Sequence, residues 1–218
     1  MTDQNETEPT PPATAEPLIT VDVWTDVVCP WCYIGESRLQ DAIEAEGLSG
    51  QVHIRAHSFE LDPTSPTDSV RDNVSHLVAS KGMDEEQVRE MEAQIKGMAE
   101  EIGREYVTER PMASTRGVHR VMQAVAAGAG EDAGTEFFMQ LQRGYFTGRS
   151  DPFDAETVVA GATAAGIGED VARAALSGHS YDEQVEIDAQ QAVQLGARGV
   201  PFFVFNEKYS APGALPLE

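Results

Sequence analysis

Two cysteines, Cys29 and Cys32, are the residues whose type and spacing point most clearly to chemistry, and the 218-residue chain has no others. Residues 18–24, just before them, are mostly β-branched and apolar, which predicts a buried strand. Apolar residues recur at helical spacing within residues 36–46, which predicts a helix. The pair is therefore expected at a strand-to-helix junction, with Cys29 near the start of the helix.

This placement predicts different chemistry for the two sulfurs. The N-terminus of a helix has free N–H groups and the positive end of the dipole, so it favours an anion and makes Cys29 the better thiolate. A free cysteine titrates near ~8.5, whereas cysteines of C-x-x-C motifs at helix N-termini titrate at roughly 3.5–7.5. Cys32 follows one turn later, within reach of a disulfide bond. The pair predicts thiol–disulfide exchange in which Cys29 attacks and Cys32 resolves.

The same spacing also occurs in one half of many zinc sites. A structural zinc site takes four ligands, and the chain has no further cysteine. His53 and His57 fall on one face of a predicted strand, but nothing in the sequence places them near Cys29. Thiol–disulfide exchange is therefore favoured over a metal site.

Two separate motifs resemble one known family. Residues 26–35, which contain Cys-Pro-Trp-Cys, resemble the DsbA-like thioredoxin-fold oxidoreductases, in particular the FrnE-like branch. Residues 196–206, which contain Val-Pro followed by an apolar run, resemble that family's cis-proline loop and the strand after it. Residues 114–120 and 144–146 also resemble family motifs, more weakly. The likeness extends over residues 18–214 and implies a disulfide oxidoreductase or isomerase.

The resemblance implies roles for individual residues in disulfide chemistry, in tuning the redox couple and in binding the substrate. These are Cys29 and Cys32 as catalytic residues, Pro30 and Trp31 as tuning residues, and Val200, Pro201, His119 and Arg120 as substrate-binding residues. In such a fold the residue before the proline offers its backbone to a substrate as an added strand. His119 is open to a proton-shuttle role and Arg120 to holding a thiol cofactor's carboxylate; local contacts on a helix surface are the alternative for both.

The family also suggests the strength of the oxidant. Strongly oxidising relatives carry a histidine next to the second cysteine, where this chain has the uncharged Trp31, so we expect a milder oxidant. Many thioredoxin-fold reductases bury a carboxylate six residues before the first cysteine, where this chain has Val23. Asp26 is the acid nearest to Cys29. It either assists proton transfer or serves as a loop residue or cap.

The order of motifs predicts an α/β thioredoxin fold of the DsbA-like type, with a large α-helical insertion between the β-α-β half and the C-terminal hairpin. We assign residues 18–66 and 197–218 to the thioredoxin-like domain and residues 67–196 to the insertion. Residues 1–17, rich in Thr, Pro and acid, are expected to form a disordered acidic tail. The sequence ends without the final helix of relatives, so that helix is missing or another chain covers its sheet face.

The alternation of residues 51–61 predicts a strand parallel to the first, and residues 202–205 and 208–211 predict a hairpin. Asp84 is a predicted N-cap, with Gln87 three residues later. Its helix is expected to bury one apolar stripe: Val88, Met91, Ile95, Met98 and Ile102. Further helices are predicted near 115–127, 132–145, 154–165, 169–176 and 181–195. Larger aromatic residues, namely Trp24, Tyr33, Tyr145 and Phe146, are expected to be packing residues, as are the two methionines of the stripe.

The net charge of −22 comes from 37 acidic and 15 basic residues. Such a surface repels nucleic acid and anionic membranes, so neither is an expected partner. The N-terminal residues lack the basic and apolar regions of a secretory signal, which predicts a cytoplasmic protein. The expected partner is a disulfide-containing protein or a small thiol, and a homodimer is left open. No tightly bound cofactor is expected; a low-molecular-weight thiol is open as a co-substrate.

Two other functions remain alternatives. The first is a thiol-cofactor-dependent isomerase or transferase, similar to 2-hydroxychromene-2-carboxylate isomerase and kappa-class glutathione transferases, which commonly have serine where this chain has Cys29. The second is a non-enzymatic role in a larger assembly. An isomerase would not need Cys32, so the effect of removing Cys32 separates the first alternative from disulfide exchange.

Overall fold

The computed structural model describes residues 19–67 and 69–215. In chain order, the elements are β1 (Ile19–Thr25), α1 (Pro30–Ala45), β2 (Val52–Ser58), β3 (Arg71–Asp72), α2 (Asn73–Lys81), α3 (Glu85–Glu101), β4 (Pro111–Met112), α4 (Arg116–Ala129), α5 (Glu131–Thr147), α6 (Ala155–Ala164), α7 (Glu169–Ser177), α8 (Asp182–Gln194), β5 (Phe202–Phe205) and β6 (Tyr209–Pro212). The predicted tail, residues 1–17, and the predicted lack of a last helix lie outside the described residues. Within those residues, no helix is both long and apolar enough to cross a membrane.

A four-stranded sheet with the strand order β2–β1–β5–β6 supports the cysteine-bearing helix. β1 and β2 are parallel, and β5 is antiparallel to both β1 and β6. The turn between β5 and β6 places Asn206 and Glu207 in the left-handed region, with φ of 49° and 57°. The predicted α/β fold, with helices between a parallel β-α-β half and a hairpin, is confirmed.

The inserted helices pack on α1 and on β2, an edge strand of the sheet. α4 packs on α5, and both α5 and α8 contact β2. Tyr33 of α1 stacks on Phe146 of α5 with 4.9 Å between ring centroids. Trp24, Tyr33, Tyr145 and Phe146 are all buried, which confirms their predicted role in packing. The helix that begins at the cysteines is therefore fixed by the insertion as well as by the sheet.

Helix α3 begins as predicted, with a capping box at its N-terminus. The Asp84 carboxylate accepts a hydrogen bond from the Gln87 backbone N–H at 2.8 Å, and the Gln87 side chain accepts one from the Asp84 N–H at 3.3 Å. Val88 and Ile95 of the predicted stripe are buried. The helices from α4 onward also begin and end within a residue or two of the predicted positions.

The buried face of α3 differs from the predicted stripe. Met91 and Met98 are only partly buried, whereas Glu92 lies in the interior. The Glu92 carboxylate pairs with the Arg110 guanidinium at 2.9 Å, and Arg110 lies over the Tyr106 ring at 4.6 Å from its centroid. A buried charge is tolerated when it is paired and hydrogen-bonded. The ion pair therefore lets a position that is polar in the sequence face the core.

The sequence predicts an entirely helical insertion, but the structure has two short strands within it. β3 and β4 form a short antiparallel ladder in which Arg71 lies opposite Met112. Strands of two residues are too short to give a visible alternation, which is why the pattern misses them. β2 also ends earlier than predicted, at Ser58. The chain turns there because the Leu61 N–H donates to the Asp26 carboxylate at 2.8 Å.

Candidate active site

Cys29 is the N-cap residue of α1, as predicted, and Pro30 occupies the first turn. The Cys29 sulfur accepts a hydrogen bond from the Cys32 backbone N–H at 3.3 Å, and the Cys29 carbonyl accepts one from the Tyr33 N–H at 3.2 Å. Free N–H groups at the start of a helix stabilise negative charge on such an atom. The sulfur of Cys29 is thus held where the helix favours a thiolate. Both cysteines are free thiols in the structure.

Neighbouring residues of this motif differ greatly in exposure. Trp31 is 41 % exposed, whereas Cys29 is 1 % and Cys32 0 % exposed. Burial, together with a hydrogen bond and the charge of Cys29, raises the pKa of the Cys32 thiol well above its usual value. Cys32 is therefore held as a thiol, and Trp31 is the exposed side chain of the motif.

The loop before β5 lies directly against the first cysteine. The Val200–Pro201 peptide bond is cis. The Cys29 thiol donates to the Val200 carbonyl oxygen at 3.7 Å, and the Pro201 carbonyl accepts from the Gly213 N–H at 2.8 Å. The two motifs that are far apart in the sequence are thus adjacent, because β5 pairs with β1, the strand that leads to Cys29.

At Gly35, α1 closely approaches the proline loop. A Cβ atom on Gly35 would lie 3.0 Å from the Pro201 Cγ, whereas a Cβ on Gly97, within α3, would meet nothing within 4 Å. We expect Gly35→Ala to lower the free energy of unfolding by about 1–3 kcal/mol through overpacking. The control Gly97→Ala should raise it by about 0.5–1 kcal/mol, since alanine favours a helix interior. Urea denaturation measures both, and shifts of the same sign would contradict the close approach.

Asp26 and His119 form a buried pair beside the active-site loop. His119 Nε2 lies 3.3 Å from Asp26 Oδ1, and Thr115 of the same segment donates to Asp26 Oδ2 at 3.3 Å. The Asp26 carbonyl accepts from the Cys29 N–H at 3.0 Å. Asp26 therefore ties together the loop that ends at Cys29, the start of α4 and, through the Leu61 N–H, the turn after β2. The sequence points to Asp26 and His119 separately but does not predict a contact between them.

Arg120 makes a contact of another kind. Its Nε lies 3.6 Å from Asp182 Oδ1 at the start of α8, and its side chain is 7 % exposed. The structure thus joins Arg120 of α4 to α8 by an ion pair between the two helices. Of the residues assigned to substrate binding from the sequence, Val200 lies against Cys29, Pro201 against Gly35, His119 against Asp26 and Arg120 against Asp182.

A buried carboxyl close to Cys32 was missed from the sequence. Glu36 lies one turn after Cys32 on α1, is 5 % exposed, and accepts a hydrogen bond from the Thr25 hydroxyl at 2.6 Å. Gln142 of α5 donates to the same Thr25 oxygen at 3.2 Å. Burial raises the pKa of Glu36 to about 7. The sequence does contain a signal for this carboxyl, namely the spacing between Cys32 and Glu36, because residues four apart share one face of a helix.

The histidines weighed for a metal site bind carboxylates instead. His57 lies between Asp22, at 2.8 Å, and Asp188, at 3.4 Å, and His53 pairs with Asp132. Within residues 19–67 and 69–215, no group of three or more His, Cys, Asp and Glu side chains is arranged to hold a metal ion.

Comparison with known proteins gives a consistent likeness. The model of the DSBA-like thioredoxin domain family matches residues 20–218. The structure is similar to that of a probable DsbA oxidoreductase from Streptomyces coelicolor, with 34% identity, a TM-score of 0.79, and coverage of 91% of this chain and 85% of that one. No curated protein gives a significant match.

Two more distant structures show likeness of fold alone. The cytosolic disulfide reductase DsbM from Pseudomonas aeruginosa is 19% identical, with a TM-score of 0.57 and coverage of 84% of this chain and 83% of that one. A 2-hydroxychromene-2-carboxylate isomerase is 17% identical, with a TM-score of 0.63 and coverage of 89% of each chain.

Proposed function

Because the chain belongs to the DSBA-like thioredoxin domain family, we propose that it catalyses thiol–disulfide exchange of the oxidase or isomerase type. The predicted thioredoxin fold follows from the same match. In this proposal, Cys29 attacks the disulfide of a protein or of a small molecule, and Cys32 resolves the mixed disulfide. The cytoplasmic location and the homodimer stay predictions.

One observation carries the proposal, namely the contrast between the two sulfurs. Cys29 caps α1, with a backbone N–H directed at its sulfur, whereas the Cys32 thiol, one turn later, has a raised pKa. The thiolate is the reactive form in exchange, so the helix terminus selects Cys29 as the attacking group. A high pKa keeps Cys32 from competing for the substrate, while its position suits attack on a mixed disulfide at Cys29.

The reaction then takes two steps. In the first, the Cys29 thiolate attacks one sulfur of the substrate disulfide, and the other sulfur leaves as a thiolate. In the second, Cys32 loses its proton and attacks the Cys29 sulfur, which releases the second substrate thiolate. The two electrons of the dithiol pass to the substrate, which leaves as two thiols, and the protein keeps a Cys29–Cys32 disulfide. Oxidation of substrates is the reverse sequence.

Substrate binding is proposed at the surface formed by Trp31 and the proline loop. The exposed indole of Trp31 offers apolar area beside the sulfur, and Val200 presents a backbone carbonyl 3.7 Å from it. An extended segment of substrate could take backbone hydrogen bonds there, as in strand addition. We propose that His119, through its contact with Asp26, holds the loop that ends at Cys29. We also propose that Arg120 forms part of the edge of the site, where its ion pair with Asp182 positions α8.

The test is a redox titration of the Cys29–Cys32 pair in a series of thiol/disulfide buffers, read by mass after alkylation. We expect one reversible two-electron transition with a potential between about −180 and −120 mV, which is typical of isomerases and oxidants. A value near about −270 mV would indicate a thioredoxin-like reductant instead. The absence of any reversible transition would overturn the proposal.

A further inference from the structure

The buried Glu36 carboxyl has no part in the two steps above, yet it lies behind the cysteine that must lose a proton. We propose that Glu36 receives the Cys32 proton, through the Thr25 hydroxyl, when Cys32 attacks the mixed disulfide. This inference rests on the proposed exchange reaction. It assigns the proton of the second step to a specific group on α1.

The contacts around Thr25 suit a relay. The Thr25 hydroxyl donates its one hydrogen to Glu36 Oε1 at 2.6 Å and accepts from Gln142 Nε2 at 3.2 Å. A hydroxyl has two acceptor positions, so one remains after Gln142 is bound. Hydrogen bonding with this same hydroxyl lowers the pKa of the Cys32 thiol, against the larger effect of burial. Thr25 is therefore able to take a proton from Cys32 as it passes its own to Glu36.

Cys32 needs such an acceptor because it is fully buried. The nearby Asp26 carboxylate is already engaged by the Leu61 N–H, Thr115 and His119. The Glu36 carboxylate accepts a hydrogen bond from the Thr25 hydroxyl at 2.6 Å, and the Gln142 side chain also lies close enough to lower the pKa of Glu36. Among these carboxylates, Glu36 is the one joined to Cys32 by a single hydroxyl.

The groups that face Glu36 set the pH at which it can act. These groups are Thr25 of β1, Gln142 and Arg143 of α5, and Cys32 of its own helix. Burial is the largest effect and raises the Glu36 pKa, the hydrogen bonds and the Arg143 charge lower it, and the result is about 7. Above that pH, Glu36 is an anion that accepts a proton; below it, Glu36 is already protonated. The second step should therefore accelerate as the pH rises through about 7.

Atoms and electrons balance in this step. The Cys32 proton moves to the Thr25 oxygen, and the Thr25 proton moves to Glu36 Oε1. The Cys32 sulfur bonds to the Cys29 sulfur, the bond from Cys29 to the substrate sulfur breaks, and the substrate leaves as a thiolate with the electron pair. The substrate thiolate takes a proton from water, and Glu36 later returns its own proton to water.

A purely electrostatic role of Glu36 predicts the opposite result. The negative charge of Glu36 raises the pKa of Cys32. If charge were its only effect, Glu36→Gln would ease the ionisation of Cys32 and speed its attack. If Glu36 accepts the proton, the same substitution slows that attack. The direction of the change in rate separates the two roles.

The experiment follows the two steps separately, with an aromatic disulfide whose released thiol absorbs light. The first release reports the attack by Cys29, and the second reports the attack by Cys32. In Glu36→Gln we expect the second release to slow by about a hundredfold near pH 7.5, the usual scale of general acid–base catalysis. The first release should stay within about twofold. The rise of the second rate with pH around 7 should disappear.

Three further variants make the test specific. Thr25→Val removes the relay hydroxyl and should behave like Glu36→Gln, whereas Thr25→Ser keeps the hydroxyl and should keep the pH profile. Glu44→Gln makes the same chemical change on the exposed side of α1 and should leave both releases unchanged. A second release in Glu36→Gln that is as fast as in the unmodified protein, or faster, would overturn the inference. If the unmodified protein gives no first release, the proposed function itself fails, and the inference fails with it.

Discussion

We expect Cys29→Ser to reduce disulfide exchange to the uncatalysed rate and Cys32→Ser to stop it one step later. A hydroxyl in place of the Cys29 sulfur cannot form the mixed disulfide, whereas loss of Cys32 leaves that disulfide unresolved. Turnover of a disulfide substrate should therefore be lost in both variants. Mass spectrometry should find a substrate adduct on Cys32→Ser and none on Cys29→Ser.

The two variants control for each other, because the chain has only these two cysteines. Each variant keeps a single thiol, so labelling with an alkylating agent reports on one sulfur alone. The remaining Cys29, at the helix N-terminus, should react quickly, and the remaining Cys32, with its raised pKa, should react slowly. Full turnover by Cys32→Ser would favour the thiol-cofactor-dependent isomerase. Full turnover by Cys29→Ser would exclude the mechanism.

The sequence predicts the part of the site that depends on local structure. A strand, two cysteines and a helix follow one another without interruption, so the N-cap position of Cys29 is set by neighbours in the chain. Val200-Pro201 directly precedes a short apolar strand, so its position in the fold can likewise be predicted from its neighbours in the chain. The contact between the cysteine motif and the proline loop depends on the fold as well, and the fold was predicted from the resemblance to a family.

The rest of the site depends on contacts between distant segments. Glu36 looks like an ordinary acidic residue of an amphipathic helix, since its burial arises only when α5 brings Gln142 against β1. Asp26 and His119 are 93 positions apart, and the link between them exists only because α4 begins beside the active-site loop. Burial of Glu92 likewise depends on Arg110. In each case a buried polar residue is compatible with the core because of a partner that one segment alone does not contain.

These buried polar groups share a place in the architecture. Thr25 ends β1 and Asp26 follows it, and Ser58 ends β2 beside them. At this end of the parallel pair, the sheet meets α4, α5 and α8, so side chains of the insertion hydrogen-bond with the strand ends. The helical insertion therefore supports the cysteine loop from behind, while the hairpin supplies the proline loop in front.

We expect the protein to lose stability at alkaline pH because of the ion pairs that join α8 to the sheet. His57 of β2 bonds to Asp22 at 2.8 Å and to Asp188 of α8 at 3.4 Å, and its ring stacks on Trp24 with centroids 4.6 Å apart. Burial disfavours the charged ring, but the hydrogen bonds and charges of Asp188 and Asp22 outweigh it and raise the His57 pKa to about 9.

In the unfolded chain, a histidine titrates near ~6.5. Protonation of His57 therefore favours the folded state: its contribution is complete below about pH 6.5 and is lost as the pH rises to about 9. Since one pH unit of difference in pKa corresponds to about 1.4 kcal/mol, we expect a loss on the order of 3 kcal/mol in the free energy of unfolding. Urea denaturation at several pH values across this range measures it.

Two substitutions on the same strand isolate this effect from other groups that titrate at alkaline pH. His57→Gln should be less stable than the unmodified protein at pH 6.5 and should lose much less stability by pH 9, because it has no proton to release. His53→Gln, four residues earlier, removes a histidine that hydrogen-bonds to Asp132 and should keep the full loss. An equal loss in all three proteins would contradict the prediction. A loss confined to proteins that retain His57 would show that the ion pair between β2 and α8 carries a substantial share of the stability at neutral pH.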